Sequence, residues 1–290
     1  MATRWRMRIA GDDADRIAAV ADELPAEIDR WERILSRFHP ASELRRLNQA
    51  PVDRLLRIGG ELAAALSLAR HATRMTHGFF DPRAMTGMTV GGARPWELDE
   101  AERTFVWTTD EARLDLGGFG KGYALDRLGE WLRERGVAAA LLDAGGSSLL
   151  TWGETPEPAG WPVDLLDPSA LRDEDAEQAT SSAASPTARL TLRDAALSYS
   201  AVRPDDAAAP RRDPTVDPRT GEPVAAGRGC VIVCASAAWA EMLSTACLCM
   251  GESAAAKFLD KMSPCASRMW WLETGSGAPR SYVSSKIVED

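Results

Sequence analysis

Four glycines and one lysine lie close together in the segment 114–126, LDLGGFGKGYALD, between a short apolar run and a helical pattern. Glycines let the backbone approach a ligand closely with its N–H groups exposed, and a helix that begins after them adds partial positive charge. The Lys121 ammonium adds a full charge, so the segment favours binding of a phosphate or another anion. A tight strand-to-helix turn with a solvated lysine fits the same letters equally well. The glycines are Gly117, Gly118, Gly120 and Gly122.

Two common phosphate motifs do not match this segment. A Walker loop requires a glycine where Asp115 stands and a serine or threonine after the lysine, where Gly122 stands. The dinucleotide fingerprint requires a glycine at the position of Tyr123. An anion bound here must therefore be held by a different kind of site.

The elements that must position this segment are helices and strands without a regular alternation. Apolar residues recur at helical spacing from Ile17 to Phe38, over 60–75, from Lys121 to Gly136 and over 237–250. Between them, VAAALLDAGGSSLL reads as two buried strands around a Gly-Gly turn, and GCVIVCAS, RMWWLE and RSYVSS read as further strands. This order predicts an α+β fold with mixed or antiparallel sheets and packed helices.

Composition limits the range of functions. The formal net charge of −9 argues against nucleic acid and gives no reason to expect an anionic membrane as partner. We see neither a transmembrane stretch nor a secretory signal, and the odd number of cysteines, five, indicates reduced thiols, so we expect a cytoplasmic protein. The 290 residues fit a single domain over 1–290, with flexible insertions near 169–187 and 203–213, where polar residues show little periodicity.

Five further segments extend the pattern along the whole chain. They are SRFHPASELRRLN, HGFFDP, LLDAGGS, VDPRTGEPV and AEMLSTACLCMG. In their order and approximate spacing, and together with LDLGGFGKGYALD, they resemble the ApbE family of FAD:protein FMN transferases. The K-G-Y-x-x-D and D-P-R-T-G blocks are specific, and the other blocks support them by their order. The chain is thereby identified as a divergent member of that family.

The resemblance implies a Mg²⁺-dependent enzyme with an FAD pocket between two lobes. It would cleave the FAD pyrophosphate, attach FMN to a Thr or Ser of a target flavoprotein carrying a D-x-x-[ST]-G-A-[ST] motif, and release AMP. The glycine loop and Lys121 would then hold the FAD phosphates, and Lys121 and Glu241 would be the catalytic residues. The Mg²⁺ ligands would be the Gly120 carbonyl, Glu241 and Thr245, and the i,i+4 spacing puts the last two on one helix face.

The resemblance also implies a set of residues around the nucleotide pocket. Each has a plainer alternative: Asp217–Gly221 fits an ordinary Pro/Gly turn, Asp126 fits a structural residue, and the two glycines near 145 fit a hairpin turn. Ser42, Glu43 and Asn48 fit cap and turn residues better than pocket residues. The implied pocket residues are Asp81, Asp126, Gly145, Gly146, Asp217, Arg219, Thr220 and Gly221.

Three positions depart from the family pattern. Pro214 stands where the family has a histidine with a catalytic role, Glu241 replaces an aspartate, and Ser200 lacks the flanking residues of the family's T-S-G. Among the three histidines, only His77 belongs to a segment that contains an implied pocket residue, because HGFFDP also includes Asp81. Three outcomes stay open: a transferase that is slow or uses another base, an FAD pyrophosphatase, and a non-catalytic FAD-binding homologue. The acceptor motif is absent from the chain, so self-flavinylation is not expected.

Overall fold

The structure is a computed structural model that describes residues 3–83, 95–110, 113–154, 160–171, 186–204, 215–262 and 268–283. Its helices are α1 (Ala14–Leu35), α2 (Glu43–Asn48), α3 (Gly60–Met75), α4 (Gly120–Glu134), α5 (Ala237–Met250) and α6 (Glu252–Lys261). Its strands are β1 (Trp5–Ala10), β2 (Leu56–Arg57), β3 (Trp96–Asp99), β4 (Thr104–Trp107), β5 (Ala139–Ala144), β6 (Ser148–Trp152), β7 (Trp161–Leu165), β8 (Ala188–Leu192), β9 (Ala196–Val202), β10 (Arg228–Cys234), β11 (Arg268–Glu273) and β12 (Arg280–Val283).

A seven-stranded antiparallel sheet organises the molecule, in the order β1-β5-β6-β9-β10-β11-β12. Two small antiparallel sheets, β2-β4-β3 and β7-β8, accompany it. The predicted α+β class is therefore confirmed, and every strand pairing among the described residues is antiparallel.

The two faces of the large sheet bury different sets of side chains because residues alternate along a strand. In β10, Cys230 and Ile232 join the core under α5 and α6, whereas Val231 and Val233 pack on the other face with residues of β7 and β8. Helices α1 to α4 close a third core over β5 and β6. Helix α5 contributes to both helical cores and thus lies at the centre of the molecule.

Most predicted helices lie where the periodicity puts them, and one differs at its end. The first helix was predicted to run to Phe38, but it ends at Leu35, because Ser36 is extended and the Ser36 hydroxyl accepts bonds from the Phe38 and His39 amides. Ser42 is the N-cap of α2, as predicted.

The stretches 172–185 and 205–214 lie outside the described residues, and they contain most of both predicted insertions as well as Pro214. Among the described helices, none combines the length and the apolar composition that crossing a membrane would require.

Candidate active site

The glycine-rich loop leads directly into α4. The Gly120 amide donates to the Leu116 carbonyl at 2.6 Å, and the Gly117 amide donates to Asp115 Oδ1 at 2.8 Å. Gly117 and Gly118 are exposed, whereas Gly120 and residues 122–125 are buried. The loop therefore has an open first half and a second half that is packed into the core.

Gly122 is required by the contact between α4 and α5. A Cβ atom at this position would lie 2.2 Å from the Ala237 carbonyl oxygen, far inside contact distance. The missing side chain lets α4 come close enough for the Gly122 amide to donate to Glu241 Oε2 at 2.7 Å. The close approach of the two helices thus brings the glycine-rich loop to the Glu241 carboxylate of α5.

The Glu241 carboxylate is the centre of the site. Lys121 Nζ lies 2.9 Å from Oε1, and the Ser148 hydroxyl of β6 donates to the same oxygen. The Glu241 side chain is only 4% exposed, and the Lys121 side chain is 23% exposed. A buried charge is costly unless it is paired and hydrogen-bonded, and these donors, with the Gly122 amide, meet both conditions.

A chain of hydroxyl groups continues from Glu241 along the face of α5 that lies on β9. The Ser244 hydroxyl donates to the Glu241 carbonyl oxygen at 3.1 Å and lies 3.1 Å from Ser198 Oγ and 2.7 Å from Ser200 Oγ. Ser200 Oγ in turn lies 3.2 Å from Thr245 Oγ1. Glu241 and Thr245 thus belong to one polar network on an otherwise apolar helix.

Glu241 and Thr245 lie one helical turn apart on α5, and their carboxylate and hydroxyl oxygens are ligands that suit a hard cation. Mg²⁺ binds through one or two carboxylates while it keeps waters and substrate phosphates. Within the described ranges there is no group of three or more His, Cys, Asp or Glu side chains that could hold a metal. The residues therefore fit a magnesium ion that shares its shell with a substrate, rather than an all-protein metal cage.

Asp126 binds the beginning of α5. Its carboxylate accepts from Ser236 Oγ at 2.7 Å and from the amides of Ala237 and Ala238 at 2.8 and 3.0 Å. Burial raises the pKa of Asp126, although these three donors oppose the rise. The contacts give Asp126 a role in fixing α4 against α5.

The HGFFDP segment lies beside the glycine loop. The Pro82 carbonyl accepts from the Asp115 amide at 2.7 Å, and the Asp81 carboxylate binds the Arg83 guanidinium through two oxygens at 2.7 and 2.8 Å. Asp115 also pairs with Arg37 at 2.8 Å. Pro82, the residue after Asp81, thus contacts the beginning of the glycine-rich segment.

The DPRTG segment forms a tight turn against HGFFDP. The Asp217 carbonyl accepts from the Thr220 and Gly221 amides at 3.2 and 2.7 Å, and the Arg219 guanidinium lies 3.3 Å from the centroid of the Phe79 ring. Burial opposes ionisation of Asp217, but hydrogen bonds from the Arg219 side chain and amide outweigh it, so the pKa of Asp217 is lowered. DPRTG therefore forms a turn, and Arg219 connects this turn to the HGFFDP segment through Phe79.

Gly145 and Gly146 form the turn between β5 and β6, both with positive φ. The Gly146 amide donates to Asp143 Oδ1 at 2.6 Å, and Asp143 pairs with Arg6 at 3.1 Å. This turn begins the strand whose first residue, Ser148, reaches Glu241.

The remaining predicted positions serve mainly as local supports. Ser42 caps α2, Glu43 accepts from the Gly59 amide, and the Asn48 side chain bonds both backbone groups of Leu114 at 2.8 and 2.9 Å. His77 is exposed with a positive φ of 52°.

The sequence patterns indicated neither the bond of Ser148 to Glu241 nor the exposed position of Phe38. Ser148 lies in a buried strand, where a lone serine carries no periodic or charge signal. Phe38 was assigned to a helix face, but it lies after the helix end, is 70% exposed, and has the Arg37 guanidinium 4.2 Å from its ring centroid. Arg37 connects it to Asp115 and so to the glycine loop.

Comparisons with known proteins show which proteins this chain resembles. The model of the ApbE family matches residues 1–269. The FAD:protein FMN transferases of Klebsiella pneumoniae and Salmonella typhimurium are 23% and 26% identical in alignments 195 positions long, and these alignments cover 58% of this chain and 55% of theirs. The chain thus spans about half the length of the curated relatives it matches.

Solved structures show the same fold. The flavin transferase ApbE from Vibrio cholerae superposes with a TM-score of 0.76 at 17% identity. The apo form of the Pseudomonas stutzeri flavinyl transferase ApbE gives 0.75 at 15% identity. In both comparisons the match covers 98% of this chain and 94% of the other.

Proposed function

The chain belongs to the ApbE family, and on that premise we propose that it is a Mg²⁺-dependent FAD:protein FMN transferase. It takes FAD as substrate, joins FMN through its phosphate to a Thr or Ser of a target flavoprotein, and releases AMP. The observation that carries the proposal is the meeting of Lys121, the Gly122 amide and α5 at the Glu241 carboxylate. The names of the curated relatives support the choice of reaction.

Lys121 and the open half of the glycine loop bind the FAD diphosphate in this proposal. Gly117 and Gly118 are exposed, so an anion can approach the backbone there, and the N-terminus of the 15-residue helix α4 adds partial positive charge. The Lys121 side chain is partly exposed, so its ammonium can contact a bound phosphate as well as Glu241. Negative charge that develops on the diphosphate as its P–O bond breaks is then stabilised by groups already in place.

Glu241, Thr245 and the Gly120 carbonyl would hold the Mg²⁺ ion. When bound, the ion supplies charge neutralisation on the diphosphate and polarises the phosphorus–oxygen bond. Glu241 brings the negative charge that attracts the cation, and Thr245 adds a neutral oxygen one helical turn away. The acceptor hydroxyl oxygen bonds to the FMN phosphorus and gives its proton to water, the phosphoanhydride bond breaks, and AMP leaves with the bonding electrons.

The other pocket residues form the walls of the site. We assign Asp81, Asp126, Gly145, Gly146, Asp217, Arg219, Thr220 and Gly221 to the FAD pocket or its immediate supports. The contacts of Pro82 with Asp115 and of Arg219 with Phe79 support this grouping. The exposed Phe38 ring, close to the loop through Arg37, offers a flat surface on which an aromatic ring such as flavin can stack.

Pro214 favours a second candidate function. A proline side chain cannot accept or donate a proton, and a missing acid or base typically lowers a rate by ~10²–10⁴. The second candidate is therefore a non-catalytic FAD-binding homologue or an FAD pyrophosphatase that keeps the phosphate-binding part of the site.

The test uses the purified full chain with FAD, Mg²⁺ and an acceptor protein that carries the D-x-x-[ST]-G-A-[ST] motif. Covalent flavin on the acceptor is read by in-gel fluorescence, and AMP and FMN are separated by chromatography. Glu241→Gln should abolish the Mg²⁺-dependent reaction, because it removes the buried charge at nearly constant shape. Glu130→Gln, on the exposed face of α4, is the matched control and should react like the unchanged protein.

Each result selects one function. Flavinylated acceptor with equimolar AMP supports the transferase. AMP and FMN released without any labelled acceptor support the pyrophosphatase, and bound FAD that stays intact supports the non-catalytic homologue. No FAD binding at all contradicts the whole proposal.

A further inference from the structure

Ser148 is the one hydroxyl that bonds the Glu241 carboxylate among the described residues. We propose that Ser148 is a positioning residue that holds this carboxylate in the orientation needed for metal binding. The inference rests on the proposed function, because it concerns the same metal site. It adds a residue that neither the motifs nor the family resemblance indicated.

The fold gives the Ser148 hydroxyl little freedom. Ser148 is the first residue of β6 and pairs with Ala144 of β5 on one side and with Ser198 of β9 on the other. β6 is an interior strand of the seven-stranded sheet, and Ser148 is 1% exposed. A hydroxyl in such a position needs a protein partner, and the carboxylate oxygen provides one.

The carboxylate is thereby held from two sides. Lys121 and Gly122 approach it from α4, and Ser148 approaches it from the sheet. Lys121 and Ser148 share Oε1. In the proposed function Lys121 also binds the diphosphate, so its bond to Oε1 weakens when the substrate enters. Ser148 and the Gly122 amide then remain to keep the carboxylate oriented.

The length of the acidic side chain makes this contact testable. Glutamate carries its carboxylate one C–C bond farther from the helix than aspartate does, and here that reach brings the carboxylate to β6. In Glu241→Asp the carboxylate withdraws from the strand, so the Ser148 hydroxyl loses its partner. Ser148→Ala should therefore weaken metal binding when residue 241 is Glu, and it should have no effect on metal binding when Glu241→Asp is also present.

The experiment measures Mn²⁺ binding to the full chain in the presence of saturating FAD by electron paramagnetic resonance, with Mn²⁺ as a spectroscopic substitute for Mg²⁺. Ser148→Ala should weaken binding by about tenfold, as expected for one lost hydrogen bond to a charged group. Ser198→Ala is the matched control, because Ser198 is the buried cross-strand partner of Ser148 and bonds Ser244 instead of the carboxylate. It should bind Mn²⁺ like the unchanged protein.

Two further variants keep the test decisive. Ser148→Cys keeps the side-chain volume with a much weaker donor and should weaken Mn²⁺ binding even if the alanine variant does not fold. In Glu241→Asp, adding Ser148→Ala should cause no further loss. Unchanged binding in both Ser148 variants, equal losses in Ser148→Ala and Ser198→Ala, or the full tenfold loss in the Asp background would each overturn the proposal.

Failure of the inference can be told apart from failure of the proposed function. If Glu241→Gln and Thr245→Val weaken Mn²⁺ binding while the Ser148 variants do not, only the role of Ser148 is wrong. If Glu241→Gln binds Mn²⁺ like the unchanged protein, the metal site itself is wrong and the inference is overturned with it.

Discussion

At the scale of single residues, one buried carboxylate joins parts of the chain that are far apart in sequence. Gly122 and Glu241 are 119 positions apart, and Ser148 is 93 positions from Glu241, yet all three meet within hydrogen-bonding distance. Removing one partner of a buried charged group leaves the other partners incompletely bonded. Even a small change of the Glu241 side chain should therefore have a large effect on ligand binding.

Lys121→Met should weaken FAD binding by about 10- to 100-fold, the range expected for one lost charge-assisted contact to phosphate. The measurement is a fluorescence titration of FAD at constant ionic strength. Lys257→Met, at an exposed position of α6, changes the net charge equally and is the control. Equal affinities of the two variants would contradict the assignment of Lys121.

The residues of the site differ in how far the sequence reveals them. Lys121 and Glu241 stand out by their type and by the motifs around them, so both were predicted as site residues. Their direct ion pair was not predicted, because it depends on the distance between α4 and α5. Ser148 left no signal, since one serine in a strand has the same pattern whether it bonds a carboxylate or a backbone group.

At the scale of elements, the contact between α4 and α5 determines the site. Asp126 of α4 binds the first amides of α5, and the missing side chain at Gly122 lets the helices approach.

The sequence predicted both helices and the Gly-Gly turn before β6, because each has a local pattern. It did not predict that Gly122 serves helix packing, and it extended α1 to Phe38 because that residue continues the apolar spacing. A local hydroxyl interaction at Ser36 ended the helix instead.

Gly122→Ala should lower the free energy of unfolding by about 3 kcal/mol, because the added Cβ forces α4 away from α5. Gly120→Ala is the matched variant, since its Cβ would meet its nearest neighbours at 3.8 and 4.0 Å. It should stay within about 1 kcal/mol of the unchanged protein. Urea unfolding measures both, and equal destabilisation of the two variants would contradict the packing role of Gly122.

The DPRTG turn should make a pH-dependent contribution to stability. The pKa of Asp217 is lowered in the folded protein, because its bonds to Arg219 outweigh the effect of burial. A lowered pKa stabilises the fold above the unfolded-state pKa of about 3.8, and this stabilisation is lost as the pH falls through the folded-state value. The stability difference between the unchanged protein and Asp217→Asn should therefore shrink as the pH falls from 5 to 3. A difference that stays constant across this interval in urea unfolding would refute the role of the ion pair.

At the scale of the whole molecule, the site lies between two hydrophobic cores. Helix α5 contributes Ala238 and Met242 to the core over β5 and β6, and Leu243 and Cys247 to the core under β10 and β11. An almost fully buried helix with Glu241, Ser244 and Thr245 in its middle is unusual, because buried polar groups need partners.

The α+β class followed from the irregular order of the elements. The register of the seven strands could not be read from their patterns, since apolar runs of this kind allow several pairings.

The position of α5 couples ligand binding to global stability. Lys121 and a metal ion would both interact with the Glu241 carboxylate, and two cations close together repel each other unless an anion lies between them. A diphosphate supplies that anion, so FAD and Mg²⁺ should bind cooperatively. Each ligand at 100 times its dissociation constant adds about 2.7 kcal/mol to stability, and cooperative binding adds more.

Calorimetric melting of the full chain tests this coupling. The rise in melting temperature with FAD and Mg²⁺ together should exceed the sum of the two separate rises, and removal of the metal with a chelator should return it to the value with FAD alone. In Glu241→Gln the excess should disappear while any separate effect of FAD remains, because the shared carboxylate charge is gone. Strictly additive rises in the unchanged protein would mean that the diphosphate and the metal do not share the Glu241 carboxylate, and the loop and α5 would then bind their ligands independently.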